Sequence, residues 1–183
     1  MYMEGNKFSY CPQCGGRNIE THRGGYKWVC PDCGFDLYCN VASAVGLVIA
    51  GPGGKILFER RAKEPSKGKL ALPGGFTTMD ESAEESAARE CLEETGVTPR
   101  NIRYLCSFPN DYLYKGIHYK TCDLFFTAEI DAGMELRAQE QEVAAFEWIA
   151  VRSHEDVDAL DLGFPSARNT LHKWVEEVLR LPR

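Results

Sequence analysis

Residues 75 to 97 read Gly75-Phe-Thr-Thr-Met-Asp80-Glu81-Ser-Ala-Glu-Glu85-Ser-Ala-Ala-Arg89-Glu90-Cys91-Leu-Glu93-Glu94-Thr-Gly96-Val97. Between Asp80 and Glu94 this stretch carries seven carboxylates and one cation, Arg89. The small residues Ala83, Ala87, Ala88, Cys91 and Leu92 share a face suited to close packing, which predicts a helix from about Asp80 to Thr95, stopped at Gly96. Acids at a helix start face exposed N–H groups and are favourable; at a helix end they face exposed carbonyls and are not. Glu90, Glu93 and Glu94 sit at the unfavourable end, and Glu90 and Glu94, four apart, repel across one face. A helix that only had to fold would not carry them there. A divalent cation removes the conflict, because hard cations are held by clustered carboxylate oxygens.

The same residues match a known pattern in register: Gly75, then Glu81, Arg89-Glu90, Glu93-Glu94, Gly96 and Val97. The chain thereby resembles the Nudix hydrolases over roughly residues 41 to 150. Cys91 stands where an aliphatic residue is usual, a mild change because cysteine packs as a small hydrophobe. The resemblance implies an α+β fold, an α/β/α sandwich with a mixed sheet. It also implies an enzyme that uses Mg²⁺ or Mn²⁺ to hydrolyse a nucleoside diphosphate linked to another group. On a helix Glu90 and Glu94 lie about 40° apart, and Glu93 about 60° to the other side of Glu90, so all three can converge on one metal cluster. By resemblance, Glu90 and Glu94 are the principal ligands and Glu93 ligates or orients water. The Gly75 carbonyl is a further ligand, and Arg89 acts with Glu81 to brace the loop. A surface pair of Arg89 with Glu85 or Glu93 is the other reading of that arginine. Glu142, ahead of the segment ending at Trp148, is expected as general base in preference to Glu140; a solvated acidic loop is the alternative.

Ahead of this region, Cys11-Pro-Gln-Cys14-Gly and Cys30-Pro-Asp-Cys33-Gly repeat one knuckle with fifteen residues between them. Four thiolates suit tetrahedral zinc, so residues 1–40 are expected to form a zinc ribbon and residues 41–183 the main domain. A segment this short cannot build its own core, and the metal would supply folding energy. Cys39, Cys91, Cys106 and Cys122 read as packed thiols, and His22 as a surface residue.

Strands are expected over Val41–Ala50 and Lys55–Arg61 as a hairpin, then near 102–108, 121–130 and 146–149. Leu171, Trp174, Val175, Val178 and Leu179 repeat at helical spacing after Pro165-Ser166. Residues 55–69 hold six cations against Glu59 and Glu64. Arg60 and Arg61 are candidates for docking a phosphate there, unless the charge is only a solvated hairpin. Phe108 and Tyr112, on an expected Pro-containing loop, are candidates for stacking on a base.

A net charge of −6, and four cations balancing four acids in residues 1–40, argue against nucleic acid as a partner. No apolar run reaches membrane-spanning length and no signal segment is visible, so a cytoplasmic protein is expected. The partner expected is a nucleotide-containing diphosphate substrate such as NADH or ADP-ribose. A ribbon before a Nudix domain resembles the NADH pyrophosphatase branch, although Ser107-Phe-Pro-Asn-Asp-Tyr-Leu-Tyr stands where that branch carries a Pro- and Trp-rich signature. Dimers are common in the family, so a homodimer is compatible. The rival reading is a ligand-sensing or scaffold protein of the same fold whose ribbon contacts a protein or nucleic acid. Lost box carboxylates would mark it, and none is lost.

Overall fold

The computed structural model describes residues 9–115, 117–131 and 133–180. Residues 9–40 carry three short strands, β1 (Glu20–His22), β2 (Lys27–Val29) and β3 (Asp36–Tyr38), paired antiparallel in the order β1-β2-β3. The two knuckles lie outside the strands. In each, the amide of the glycine after the second cysteine donates to the carbonyl of the first: Gly15 to Cys11 at 2.8 Å and Gly34 to Cys30 at 2.9 Å. Both glycines adopt left-handed φ, +72° and +76°, which a side chain would strain. The turns bring the four sulfurs to within 4.8 Å of one another, with Cys11–Cys33 at 3.7 Å and Cys14–Cys30 at 3.8 Å. Disulfide sulfurs lie at about 2.05 Å. The edge of a tetrahedron with 2.3 Å metal–sulfur bonds is about 3.8 Å, so the thiols fit one zinc ion. Trp28, buried among these short strands, is the ribbon's one large fully covered aromatic among the described residues.

The rest of the chain contains β4 (Ala42–Ile49), β5 (Lys55–Arg61), β6 (Leu70–Ala71), α1 (Ala83–Thr95), β7 (Arg100–Tyr114), β8 (Ile117–Glu129), β9 (Val143–Ala150), α2 (His154–Asp158) and α3 (Pro165–Arg180). The strands form a mixed sheet, β4-β8-β7, with β4 parallel to β8, and an antiparallel sheet, β6-β5-β9. Alternation along each strand divides the core. Val45, Leu47 and Ile49 of β4, with Leu57 of β5 and Phe126 of β8, pack with Ala87 and Cys91 of α1. Val48, Ile56, Phe58 and Phe125 pack on the other side with Leu171, Trp174 and Val175 of α3. Helices on both faces give the expected α+β sandwich.

Four expectations change. β4 and β5 do not form a hairpin ladder: only Ala50 and Ile56 bridge, and the strands enter different sheets. Each has a better partner in β8 or β9, which buries both of its faces. The segment 107–114 is not a loop but the second half of β7, paired with β8 as far as Tyr114 and Ile117. Pro109 is tolerated on this strand, which no third strand flanks on its outer side. Leu92 points to solvent, and the buried stripe of α1 runs instead through Ser86, Ala87, Cys91, Glu94 and Thr95. The helix starts at Ala83 rather than Asp80, because Ser82 caps it in a reciprocal capping box with Glu85. Leu171, Trp174 and Val175 are buried as expected; the side chains of Val178 and Leu179 lie outside the described residues. Cys91 is fully buried, Cys39, Cys106 and Cys122 are half-buried, and His22 is exposed beside Glu20.

Chelation tests the ribbon. A zinc chelator should release about one zinc ion per chain, read with a colorimetric metal indicator. Limited proteolysis should then cut within residues 1–40 while the remainder stays protected. An unaltered cleavage pattern after complete metal loss would count against the zinc assignment.

Candidate active site

The acids of α1 meet two glycines that precede the helix in the chain. Pro73 to Thr77 runs beside β4 by three backbone bonds: Leu47 donates to Pro73, Val45 to Gly75, and Thr77 to Ser43. Gly74, between two of these, turns its amide to α1 and donates to Glu94 Oε2 at 2.7 Å. A Cβ on Gly75 would lie 2.6 Å from the Glu90 carboxylate, and one on Gly74 would strike the backbone of β4. The Gly-Gly pair is therefore required by close approach on two sides. The Gly75 carbonyl gives one lone pair to Val45 and keeps the second.

Glu81 lies before the helix and reaches forward. Arg89 Nε bonds both of its oxygens at 3.0 Å, and Ser86 donates to it at 2.9 Å. Arg89 also bonds Glu90 at 2.7 Å, Glu93 at 3.4 Å and the Phe76 carbonyl at 3.2 Å. This arginine ties the loop to the helix and is the counter-ion of the exposed half of the acid cluster. The Ser86 hydroxyl, followed by Arg89, holds the Glu81 carboxyl below its ordinary value.

The buried half has no such partner. Glu94 is 6% exposed, and facing it is Glu59 of β5, 3% exposed, whose Oε1 has no hydrogen-bond partner. Glu59 was not among the residues singled out from sequence, where it counted only as one acid in a cationic stretch. The signal for it is positional: Ile56, Leu57 and Phe58 are fully buried, and Glu59 continues the alternation from Leu57 toward α1. Burial pushes Glu59 up to about 8, although Glu94 and Arg61 pull it down. Burial, and then the charge of Glu59, push Glu94 well above the ordinary carboxyl range. Burial also raises Glu90, partly offset by Arg89. Two facing buried carboxyls with an orphaned oxygen are costly, and they are the donor set a hard divalent cation takes. The residues present therefore fit Mg²⁺ or Mn²⁺.

Glu90 and Glu94 open onto a cavity of about 330 Å³, with Glu59 behind Glu94. Gly75, Glu90, Glu93, Glu94 and Glu142 line it, together with Arg61, Lys63 and the rings of Phe76, Tyr112 and Phe164. Glu142 pairs with Lys63 at 2.5 Å and remains partly exposed. Arg61 donates to the Pro65 carbonyl at 2.7 Å and lies over the Phe164 ring. Two candidates do not line this cavity. Arg60 is absent from the cavity wall, because Glu147 of the neighbouring strand holds its Nε at 2.7 Å and the Gly68 carbonyl takes NH1 at 2.6 Å. Phe108 is not among the lining residues either: alternation on β7 puts it on the same face as Asn110 and Tyr112, opposite Asp123, but only the latter two line the cavity. Among the described residues no helix is long and apolar enough to cross a membrane.

Helices on both faces of split sheets, with paired carboxylates on α1 against a Gly-Gly turn, are the arrangement expected of the Nudix class. A family model, the NUDIX domain, matches residues 41–173, and the chain belongs to this family. It is similar to the NAD-capped RNA hydrolase NudC of Vibrio cholerae, 30% identical over 148 residues, 79% of this chain and 50% of that one. The NudC of Vibrio atlanticus is 31% identical over 152 residues, 81% of this chain and 51% of that one. The chain thus spans about half the length of these curated relatives. Among solved structures, a NUDIX hydrolase from Nitrosomonas europaea superposes with a TM-score of 0.69 at 25% identity, covering 92% of this chain and 90% of that one. The NUDIX domain of Shewanella oneidensis NrtR, solved with ADP ribose, shares the fold with a TM-score of 0.61 at 24% identity, covering 76% and 89%.

The raised carboxyls set a pH dependence. Between the ordinary carboxyl value and about 8, the folded metal-free protein holds protons that the unfolded chain has released, so its stability falls as pH rises through that window. Melting in EDTA should drop by roughly 5 °C or more from pH 5 to pH 8, on the scale of one to several pKa units of linkage. Mg²⁺ or Mn²⁺ should reverse the drop and release protons on binding at pH 7, read by calorimetry in buffers of different ionisation enthalpy. Glu59→Gln should flatten the metal-free slope. A slope of opposite sign would remove the case for protonated carboxyls at the site.

Proposed function

We propose that this chain is a Mg²⁺- or Mn²⁺-dependent pyrophosphohydrolase that cleaves the diphosphate bridge of a nucleoside diphosphate linked to a second moiety, as in NADH or ADP-ribose. The observation that carries this reading is Glu94, backed by the buried Glu59 with its unpartnered Oε1, opening beside Glu90 and Gly75 onto a cavity that Arg61 and Lys63 also line. Glu90, Glu93, Glu94 and the free lone pair of Gly75 would hold the divalent ions, with Glu59 behind them. When bound, such ions offset phosphate charge and lower the pKa of a bound water.

The chain's own groups do the rest. Arg61 and Lys63 draw the diphosphate into the cavity, and Arg61 can meet two phosphoryl oxygens at once. Arg89 fixes Glu90 and the Gly75 loop so that the carboxylates are preorganised. Glu142, at the cavity mouth, is the acceptor for a proton from the attacking water once the substrate draws Lys63 away. The tyrosine and phenylalanines face the moiety on one side of the bridge. The relatives' printed name, NAD-capped RNA hydrolase, agrees with a diphosphate between two nucleosides. We also propose residues 1–40 as an appended zinc ribbon and 41–183 as the hydrolase domain. A reducing compartment such as the cytoplasm suits four free thiols. The sensor reading is less well supported, since every box carboxylate is present and all three at the end of α1 line the cavity.

Incubation with NADH, ADP-ribose, diadenosine polyphosphates and nucleotide sugars in Mg²⁺ should release a nucleoside monophosphate from at least one. Glu94→Gln should reduce that turnover by a factor of about 100 or more with an unchanged circular-dichroism spectrum. Tight binding of one compound with no cleavage of any would establish the sensor instead.

A further inference from the structure

A second buried carboxylate lies on the far side of the cavity and takes no part in this hydrolysis. Asp123 of β8 is 7% exposed. Along β8, Leu124 and Phe126 face α1, while Asp123 and Phe125 face α3. Its recorded partners are three neutral donors: Asn110 Nδ2 at 2.9 Å and Ser166 Oγ at 2.7 Å, both on Oδ2, and Thr121 Oγ1 at 2.5 Å on Oδ1. Ser166 and Thr121 are themselves buried. Ser166 belongs to the first turn of α3, where the helix favours an anion.

A buried carboxylate surrounded by neutral groups is expensive, and core packing does not call for one. Each carboxylate oxygen accepts about two hydrogen bonds, so Oδ2 is filled and Oδ1 has one lone pair left. Asp123, Asn110, Thr121 and Ser166 all line the cavity. So do Phe76, Tyr112 and Phe164, with Tyr112 edge-on to Phe76 at 5.4 Å and stacked on Phe164 at 5.8 Å. An aromatic wall accepts a flat ring, and an open carboxylate acceptor beside it accepts an N–H while repelling an oxo or carboxylate group in the same place.

We infer that Asp123 is a specificity-determining residue: with the aromatic wall, it selects a flat ring bearing an N–H donor, an exocyclic amine or a carboxamide, on one side of the diphosphate bridge. The inference rests on the hydrolase reading for the bridge and not for the ring. Two sources supply this chemistry, the 6-amino group of adenine and the carboxamide of a nicotinamide-type ring.

The test compares three ligands, NAD⁺, its analogue with nicotinic acid in place of nicotinamide, and its analogue with hypoxanthine in place of adenine. Binding by titration calorimetry is measured without and with added Mg²⁺, and cleavage in Mg²⁺ is followed separately. One analogue should bind about tenfold or more weakly than NAD⁺, the scale expected when a buried hydrogen-bonding group is left unpaired. A weak nicotinic-acid analogue places the carboxamide at Asp123, and a weak hypoxanthine analogue places adenine there. Asp123→Asn should bring the preference to within about threefold. Asn110→Ala keeps the carboxylate and frees another lone pair on it, so the preference should persist or grow. Equal binding of all three by the unaltered protein, no binding of any, survival of the preference in Asp123→Asn, or its loss in Asn110→Ala would each overturn the inference. Preference in binding without cleavage would leave it standing and remove the hydrolase reading; cleavage without preference would do the reverse.

Discussion

The burial of Glu94 against Glu59 is the constraint around which this molecule is arranged. Two carboxyls are held out of water by β5 on one side and α1 on the other, and the nearby charge of Arg61 only partly offsets their burial. Proteins relieve such a contact by protonation or by binding positive charge. The backbone does part of the work through the Gly74 amide, and Arg89 neutralises the outer acids but not the inner pair. A divalent ion bound in the cavity that Glu94 shares with Arg61 and Lys63 would relieve that burial.

The fold serves that contact. Glu94 is inside because the buried stripe of α1 passes through Ala87 and Cys91, and small residues there let the helix close on the sheet. Gly74 and Gly75 fit beneath the helix because neither carries a Cβ. Glu59 arrives because β5 leaves β4 for a second sheet, so a strand that would otherwise form the arm of a hairpin faces α1 with Leu57 and Glu59. The opposite side of β8 supplies Asp123 toward α3. A single cavity thus reaches acids of two kinds, the glutamates around the end of α1 and one aspartate already held by neutral donors.

Much of the site was legible in sequence because its elements are local. The acids at 90, 93 and 94 fall within one helical turn, and the charge conflict at a helix end can be read without coordinates. The four cysteines lie in two knuckles whose glycines declare their turns. Arg60 and Arg61 look equivalent in a list of charges, yet Glu147 on a strand 87 residues away takes the first and leaves the second to the cavity. Phe108 and Tyr112 look like neighbours on a loop; the loop is a strand that puts both on one face, and only Tyr112, further along it, lines the cavity. The α2 helix was missed because five residues are too few for a periodic pattern to show.

The chain by itself determined the helix of acids, its glycine entry, the two cysteine knuckles and the family, because each depends on spacing within a short segment. Only the tertiary structure decided that Glu59 faces Glu94, that Arg61 and not Arg60 lines the cavity, and that Asp123 waits on the opposite wall. Those outcomes follow from which strand pairs with which. Strand pairing is settled by burial summed over distant segments, and no local run of residues encodes it.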